Sequence, residues 1–186
     1  MTKQQVYDVE RKVGNYELRR YHPCVVAEVT VSGAFEKAGN AGFRPLINYI
    51  SGANHGSKKV SMTAPVIQEL STKIDVSQPA LQTQHGSNHV ISFVMPAEFQ
   101  TLADLPVPND SSVVLREIPG ELVAVERFSG RWSEAIYNER LTALRAHLAM
   151  AGFEVIGSPR FARFDPPWTP WFMRRNEIQI PVAESI

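Results

Sequence analysis

The stretch Leu18–Phe35 reads LRRYHPCVVAEVTVSGAF, and Leu115–Trp132 reads LREIPGELVAVERFSGRW, so the second aligns with the first without a gap. Both carry Leu-Arg, a turn, an apolar strand around Val-Ala, and Ser-Gly ahead of an aromatic residue. Two copies are too few for a solenoid, which stacks about three units or more. The repeat therefore predicts two pseudo-symmetric halves, about 16–96 and 113–182, that share one core. A ligand is expected at the seam or against one exposed helix.

Length and composition describe an ordinary globular chain. It has 186 residues, of which 44% are hydrophobic and 20% charged, and its 19 basic and 19 acidic side chains give no formal net charge. Without a long-range positive field, nucleic acid is not expected as a partner. The single Cys24 cannot form an internal disulfide. Because no apolar leader and no apolar run of about 20 residues is visible, we expect a cytoplasmic protein without membrane insertion. We also expect it to be monomeric or weakly self-associating.

Hydrophobic periodicity predicts an α+β fold, since strands and helices alternate without the rhythm of a parallel sheet. Residues 1–15 are polar and are interpreted as a flexible arm before a single domain at 16–186. Residues 70–89 are interpreted as a long surface loop or an irregular hairpin. The predicted helices are Ala34–Ile50 and Arg131–Ala151. The predicted strands are Tyr16–Tyr21, Val25–Val31, Met62–Ile67, Val90–Met95, Val113–Glu117, Leu122–Phe128, Phe161–Phe164 and Glu177–Pro181.

The first predicted helix contains residues that helices usually avoid. Gly39, Gly42 and Pro45 lower its propensity, so a kink or break is expected near Asn40.

The histidines give little evidence of a metal site. His85 and His89 stand four residues apart but fall in the polar loop, so they are interpreted as solvated rather than as a metal pair. His22 alternates with Arg20, and both point to one face if the strand continues. The alternative is an edge-turn histidine before Pro23. No nucleophile elbow, phosphate loop or zinc spacing is present, which disfavours an enzyme.

The segment Phe164–Phe172, FDPPWTPWF, combines prolines with aromatic residues into a stiff apolar loop that is costly to expose. It either packs on the protein's own core or lines a pocket for a flat apolar ligand. Arg174 and Arg175 follow directly and could pair with acids on such a ligand. Pairing with Glu177 or another carboxylate is the structural alternative.

Four blocks appear in order along most of the chain: YELRRY at 16–21, KVSMTAPV at 59–66, ISFVMP at 91–96, and DPPW at 165–168 followed by RRNE at 174–177. From about Tyr16 to Val182 they closely resemble the SOUL haem-binding protein family. The resemblance implies a distorted β-barrel of two similar halves flanked by two helices. It also implies binding of haem or related tetrapyrroles in a shallow hydrophobic groove, for carriage, buffering or sensing.

By this resemblance, the groove lies between the first helix and the C-terminal aromatic loop. A porphyrin is an apolar plate with two carboxylates at one edge, so aromatic walls and a basic rim suit it. The implied groove residues are Phe43, Arg44, Ile47, Asn48, Trp168, Trp171, Phe172 and Arg174.

The chain departs from the family at its polar positions. One branch is thought to ligate iron with a histidine just before the Tyr of the first block, where this chain has Arg20, so His22 is the candidate metal ligand. Another branch holds haem propionates with basic groups that correspond to Asn40, Asn48 and Thr169. Arg44 is the candidate replacement for them.

Two alternatives to haem binding remain. The halves also resemble gyrase-inhibitor-type effector-binding domains, which share the duplicated plan and indicate a sensor of a hydrophobic or cationic small molecule. A buried acid such as Glu126 would favour that function. The third alternative is an enzyme that acts on a bound tetrapyrrole.

Overall fold

A computed structural model describes residues 3–71, 88–166 and 168–184. Its two helices are α1 (Phe35–Ile50) and α2 (Glu134–Met150). Its strands are β1 (Lys3–Gln4), β2 (Tyr7–Val13), β3 (Tyr16–Tyr21), β4 (Cys24–Ser32), β5 (Thr63–Ala64), β6 (Val66–Leu70), β7 (Asn88–Val94), β8 (Val114–Ile118), β9 (Glu121–Phe128), β10 (Phe153–Val155), β11 (Arg160–Arg163) and β12 (Asn176–Glu184).

One large antiparallel sheet organises these elements. Its strand order is β2-β3-β9-β12-β11-β6-β7-β4-β8, with β10 added alongside β12. The short strands β1 and β5 form a separate parallel pair. Because one dominant antiparallel sheet carries two helices, the class is α+β, as the sequence predicts. Within the described residues, neither helix is long and apolar enough to cross a bilayer.

Both helices cover one face of this sheet, and the core lies beneath them. Helix α1 packs on β4 and β7, above apolar residues that include Val25, Leu46, Ile91 and Phe93. Helix α2 inserts Leu144 and Leu148 into a second cluster that surrounds Phe161, Ile178 and Ile180. Successive residues of a strand point to opposite faces, so the alternate positions of each strand form a second, more polar face.

Helix α1 runs without interruption through the break expected near Asn40. Its glycines instead permit close packing, because a Cβ at Gly42 would collide with Ile91 and one at Gly39 with the Arg163 guanidinium. The residues that weaken the helix by propensity are therefore the ones that let it approach the sheet. Tertiary packing outweighs local propensity here.

The N-terminal arm prediction is wrong for most of residues 1–15. Strand β2 pairs with β3, with Asp8 opposite Arg20, and β1 pairs with β5. Polar residues occupy this segment because β2 is an edge strand with solvent on one side.

The predicted loop at 70–89 is only partly described. Residues 72–87, including His85, lie outside the described residues, whereas β7 already begins at Asn88. His89 is buried, with its ring centroid 5.9 Å from that of Phe35. It is therefore not a solvated loop histidine, and burial lowers its pKa. The described part of the chain holds no cluster of three or more His, Cys, Asp or Glu residues that could bind a metal.

Candidate functional site

The outer edge of α1 presents a line of residues beside the sheet. Gly39, Phe43 and Ile47 are spaced by four, so they follow one another along one side of the helix. Phe43 is 37% exposed and its ring meets Phe93 edge-on, with centroids 5.3 Å apart. Ile47 is half-buried, while Arg44 and Asn48 are exposed. The helix thus offers an accessible apolar edge bordered by polar side chains.

The segment Trp168–Arg174, called the aromatic segment below, does not bury its rings in the core. Trp168 is 81% exposed, Trp171 50% and Phe172 59%. The rings of Trp171 and Phe172 meet edge-on with centroids 5.7 Å apart. Since exposed apolar clusters of this kind mark interaction surfaces, the pocket-lining interpretation of the segment fits better than core packing.

Polar contacts fix the backbone of the aromatic segment. Arg174 Nε donates to the carbonyl oxygen of Thr169 at 2.7 Å. The backbone N–H of Arg175 donates to the Asp165 carboxylate at 2.6 Å. The exposed rings are therefore carried on a braced turn rather than on a loose tail.

Arg163, which the sequence analysis did not single out, lies against α1 at Gly39. The guanidinium carbon of Arg163 is 3.0 Å from the centroid of the Trp132 ring, which itself stacks on Phe161 at 3.8 Å. Its Nη2 donates to Gln68 Oε1 at 2.8 Å. Within residues 3–71, 88–166 and 168–184, no carboxylate forms an ion pair with Arg163. Burial, with a smaller contribution from nearby Arg174, lowers the pKa of Arg163 to about 9.

Basic groups lie beside both parts of the candidate site. Arg163 contacts α1 at Gly39, and the positive charge of Arg174 is near enough to lower its pKa. The guanidinium carbon of Arg131 lies 5.7 Å from the Trp171 ring centroid. In the part of the chain that the structure describes, no ring of α1 contacts a ring of the aromatic segment.

His22 belongs to a different place in the sheet. Its Nε2 lies 2.7 Å from an Asp8 carboxylate oxygen, and Arg20 Nε donates to Glu10 at 2.8 Å. Both partners are on the edge strand β2, whereas α1 packs on β4 and β7 near the other end of the strand order. The structure therefore does not bring His22 together with the groove residues.

Glu126 is buried, as an effector site would require, but it is neutralised within the fold. It is 2% exposed, and Arg140 of α2 donates to its Oε1 at 3.0 Å. Its Oε1 therefore attaches α2 to the sheet, while its Oε2 is buried and has no hydrogen-bond partner among the described residues.

The opposite face of the sheet carries a dense charge network. Glu177 is fully buried and accepts hydrogen bonds from Arg19 at 3.1 Å and from Arg175 at 2.6 Å. The structural alternative predicted for Arg175 is thus confirmed. A neighbouring cavity of about 260 Å³ is lined by Tyr7, Lys12, Gly14, Asn15, Tyr16, Glu17, Arg19, Val125, Arg127 and Arg175. Its basic lining opposes binding of a cation.

Proteins of known family resemble this chain in sequence. The family model described as SOUL heme-binding protein matches residues 2–181. The chain is 28% identical to heme-binding protein 1 of Xenopus laevis over 165 residues, covering 88% of this chain and 81% of that protein. It is 28% identical to heme-binding protein 2 of Mus musculus over 182 residues, covering 93% and 84%.

Among solved structures, the EcmrR C-terminal domain is similar with a TM-score of 0.67 and 14% identity, covering 96% of this chain and 99% of that one. At this identity the likeness shows the fold alone.

Proposed function

The chain belongs to the SOUL heme-binding protein family, and we propose that it binds haem or a related tetrapyrrole in a shallow groove between α1 and the aromatic segment. The observation that carries this proposal is the aromatic segment itself, a braced turn whose large rings remain exposed. Carriage, buffering or sensing of the ligand are the roles that such a groove suits.

The side chains present fit a porphyrin. Phe43 and Ile47 provide an apolar edge on α1, and the exposed rings of Trp171 and Phe172 provide aromatic surface. A flat apolar ligand gains by removing such surfaces from water, at roughly 25 cal/mol per Å². Basic groups around the groove suit the carboxylate edge of the plate. The full set of proposed contact residues is Phe43, Arg44, Ile47, Asn48, Trp168, Trp171, Phe172 and Arg174.

Titration of the purified protein with ferric haem tests the proposal. We expect a shifted Soret band that saturates near one haem per chain, with roughly micromolar affinity, which corresponds to about 8 kcal/mol. Absence of saturation at tens of micromolar would contradict haem binding and favour the effector-binding function.

Coordination of the haem iron by a side chain is separate from the contacts that hold the porphyrin plate. An imidazole is a common axial ligand of haem iron, and the resemblance makes His22 the candidate on this chain. The exposed His22 ring already bonds Asp8 at the β2–β3 edge. The proposal therefore rests on apolar and electrostatic contacts and requires no protein ligand to iron.

The effector-binding function is the second candidate, supported by the shared fold alone. A cationic effector is disfavoured, because Glu126 already pairs with Arg140 and because the cavity on the far face is basic. Catalysis on a bound tetrapyrrole is the third candidate. The proposed contact residues include no nucleophile with an adjacent base.

We also propose that the two halves follow one duplicated plan and curl into a distorted barrel. Strand order supports it: β8-β4-β7-β6 from one end corresponds, repeat for repeat, to β3-β9-β12-β11 from the other. The two runs meet where β6 pairs with β11. The cytoplasmic location and the monomeric or weakly associating state stay predictions.

A further inference from the structure

We propose that Arg163 binds a carboxylate of the ligand, at a position formed by the Arg163 guanidinium, the Trp132 indole N–H and the nearby charge of Arg174. This inference rests on the proposed function, because it assigns the carboxylate edge of a tetrapyrrole to one place in the groove.

The guanidinium of Arg163 lacks a counter-charge among the described residues. Burying a cation is costly unless an anion and hydrogen bonds compensate for it. Arg160 and Arg175 are half-buried like Arg163, and each pairs with a carboxylate, Glu121 and Glu177 respectively. Arg163 receives one hydrogen-bond acceptor, the amide oxygen of Gln68, and no carboxylate among the described residues. An anionic ligand would supply what the fold leaves out.

Two neighbouring N–H groups, on Arg163 and Trp132, are hydrogen-bond donors without an acceptor among the described residues. Arg163 Nε and Trp132 Nε1 are both buried and have no acceptor in the described part of the chain. Buried polar groups in folded proteins are normally satisfied, and exceptions call for an explanation such as a missing ligand. The two donors belong to side chains stacked on each other. A carboxylate has about four lone-pair sites, so it can accept from more than one donor there.

The position of Arg163 along α1 also suits the carboxylate edge of a porphyrin. The Arg163 guanidinium occupies the space left by the missing side chain of Gly39. Phe43 and Ile47 follow on the same side of the helix, about 6 and 12 Å further along its axis. A plate lying on Phe43 and Ile47 therefore has one edge directed toward Arg163. That edge is where a porphyrin needs a cation if its carboxylates point toward the helix N-terminus.

Binding of ferric haem and of its dimethyl ester, which has the same plate without ionisable carboxyls, tests the inference in the wild type and in Arg163→Gln. We expect Arg163→Gln to weaken haem binding at least tenfold and to leave the affinity for the ester within twofold. The matched control is Arg127→Gln on the far face, an exposed arginine that should change neither affinity.

Two results would overturn the inference while leaving the proposed function in place. One is an unchanged haem affinity in Arg163→Gln. The other is an equal loss for haem and for the ester, which would indicate a general disturbance of the groove. A melting curve of each variant shows whether it is folded, and Arg163→Lys, which keeps a charge, should retain part of the preference for haem over the ester. If the wild type binds neither porphyrin, the proposed function itself fails.

Discussion

Arg19, which is buried, and Arg163, which is half-buried, lie on opposite faces of one sheet and differ in how their charge is balanced. Arg19 bonds Glu177, whereas Arg163 lies opposite Asn176 on β12. Residues 176 and 177 are adjacent, so their side chains point to opposite faces. On the far face the protein supplies its own anion, while on the helix-covered face it supplies an aromatic ring and an amide. The first arrangement stabilises the fold, and the second leaves a charge for a ligand.

Removal of the anion on the far face should give the largest effect. Glu177→Gln removes the fully buried carboxylate that Arg19 and Arg175 share, so Arg175 loses its carboxylate and Arg19 retains only Glu17. Breaking a buried ion pair in this way costs about 3–5 kcal/mol. Urea unfolding should therefore show a clearly lower midpoint. Glu184→Gln is the matched control, because Glu184 is exposed and its ion pair is with exposed Arg11. If Glu177→Gln were as stable as this control, the network would not be structural.

Truncation of an exposed ring should affect binding rather than stability. Trp171→Ala removes half-exposed aromatic surface from the groove, so haem affinity should fall more than tenfold, or about 1.4 kcal/mol. The melting temperature should change little. Leu102→Ala, at another exposed apolar position, should leave haem affinity unchanged. A stability loss of about 3–5 kcal/mol in Trp171→Ala would instead identify a core residue.

Removal of the uncompensated charge should be nearly neutral for folding. Arg163→Met retains contact with the Trp132 ring and eliminates the buried cation, so at pH 7 it should be at least as stable as the wild type, within about 1 kcal/mol. A marked loss of stability would show that Arg163 is structural in the way Arg19 is.

The difference in unfolding free energy between the wild type and Arg163→Met should depend on pH. Because the folded pKa of Arg163 is lowered to about 9, the unfolded chain holds more protons above that pH, and wild-type stability gains with rising pH. Any advantage of Arg163→Met should therefore shrink between pH 8 and 10. Unfolding free energies of both proteins at several pH values measure this, and groups common to both cancel in the difference.

Replacement of His22 should have the smallest effect. Its exposed ring bonds Asp8 away from α1, so we expect His22→Ala to leave the Soret maximum and the affinities for haem and for metal-free protoporphyrin unchanged. A shifted Soret band with loss of haem alone would instead establish His22 as the iron ligand.

Local pattern predicts most of the strands, because an apolar-polar alternation such as that of β4 reports which face is buried. It fails where long-range packing decides. Gly39 and Gly42 predict a broken helix, yet they fit against Arg163 and Ile91, which lie far away in sequence. The polar sequence of β2 suggests an arm, because nothing local shows that β3 will pair with it.

The candidate site was predictable to a similar extent. Resemblance identifies the helix and the aromatic segment, since their residues are contiguous. Arg163 was not predicted, because the role proposed for it depends on the absence of a neighbouring carboxylate, which only the folded structure shows. One signal was available: Arg163 alternates with Phe161 on β11, which places a charge on an apolar strand face.

Residue-resolved NMR shifts on addition of metal-free protoporphyrin test the central claim, that the tetrapyrrole binds on the helix-covered face. The account predicts that the largest shifts will fall on 39–48 of α1, on 168–174 and on the Trp132 indole N–H. It predicts little change at Tyr7, Arg19 and Arg127 around the far-face cavity. Shifts concentrated at that cavity, with α1 and the aromatic segment unaffected, would contradict it.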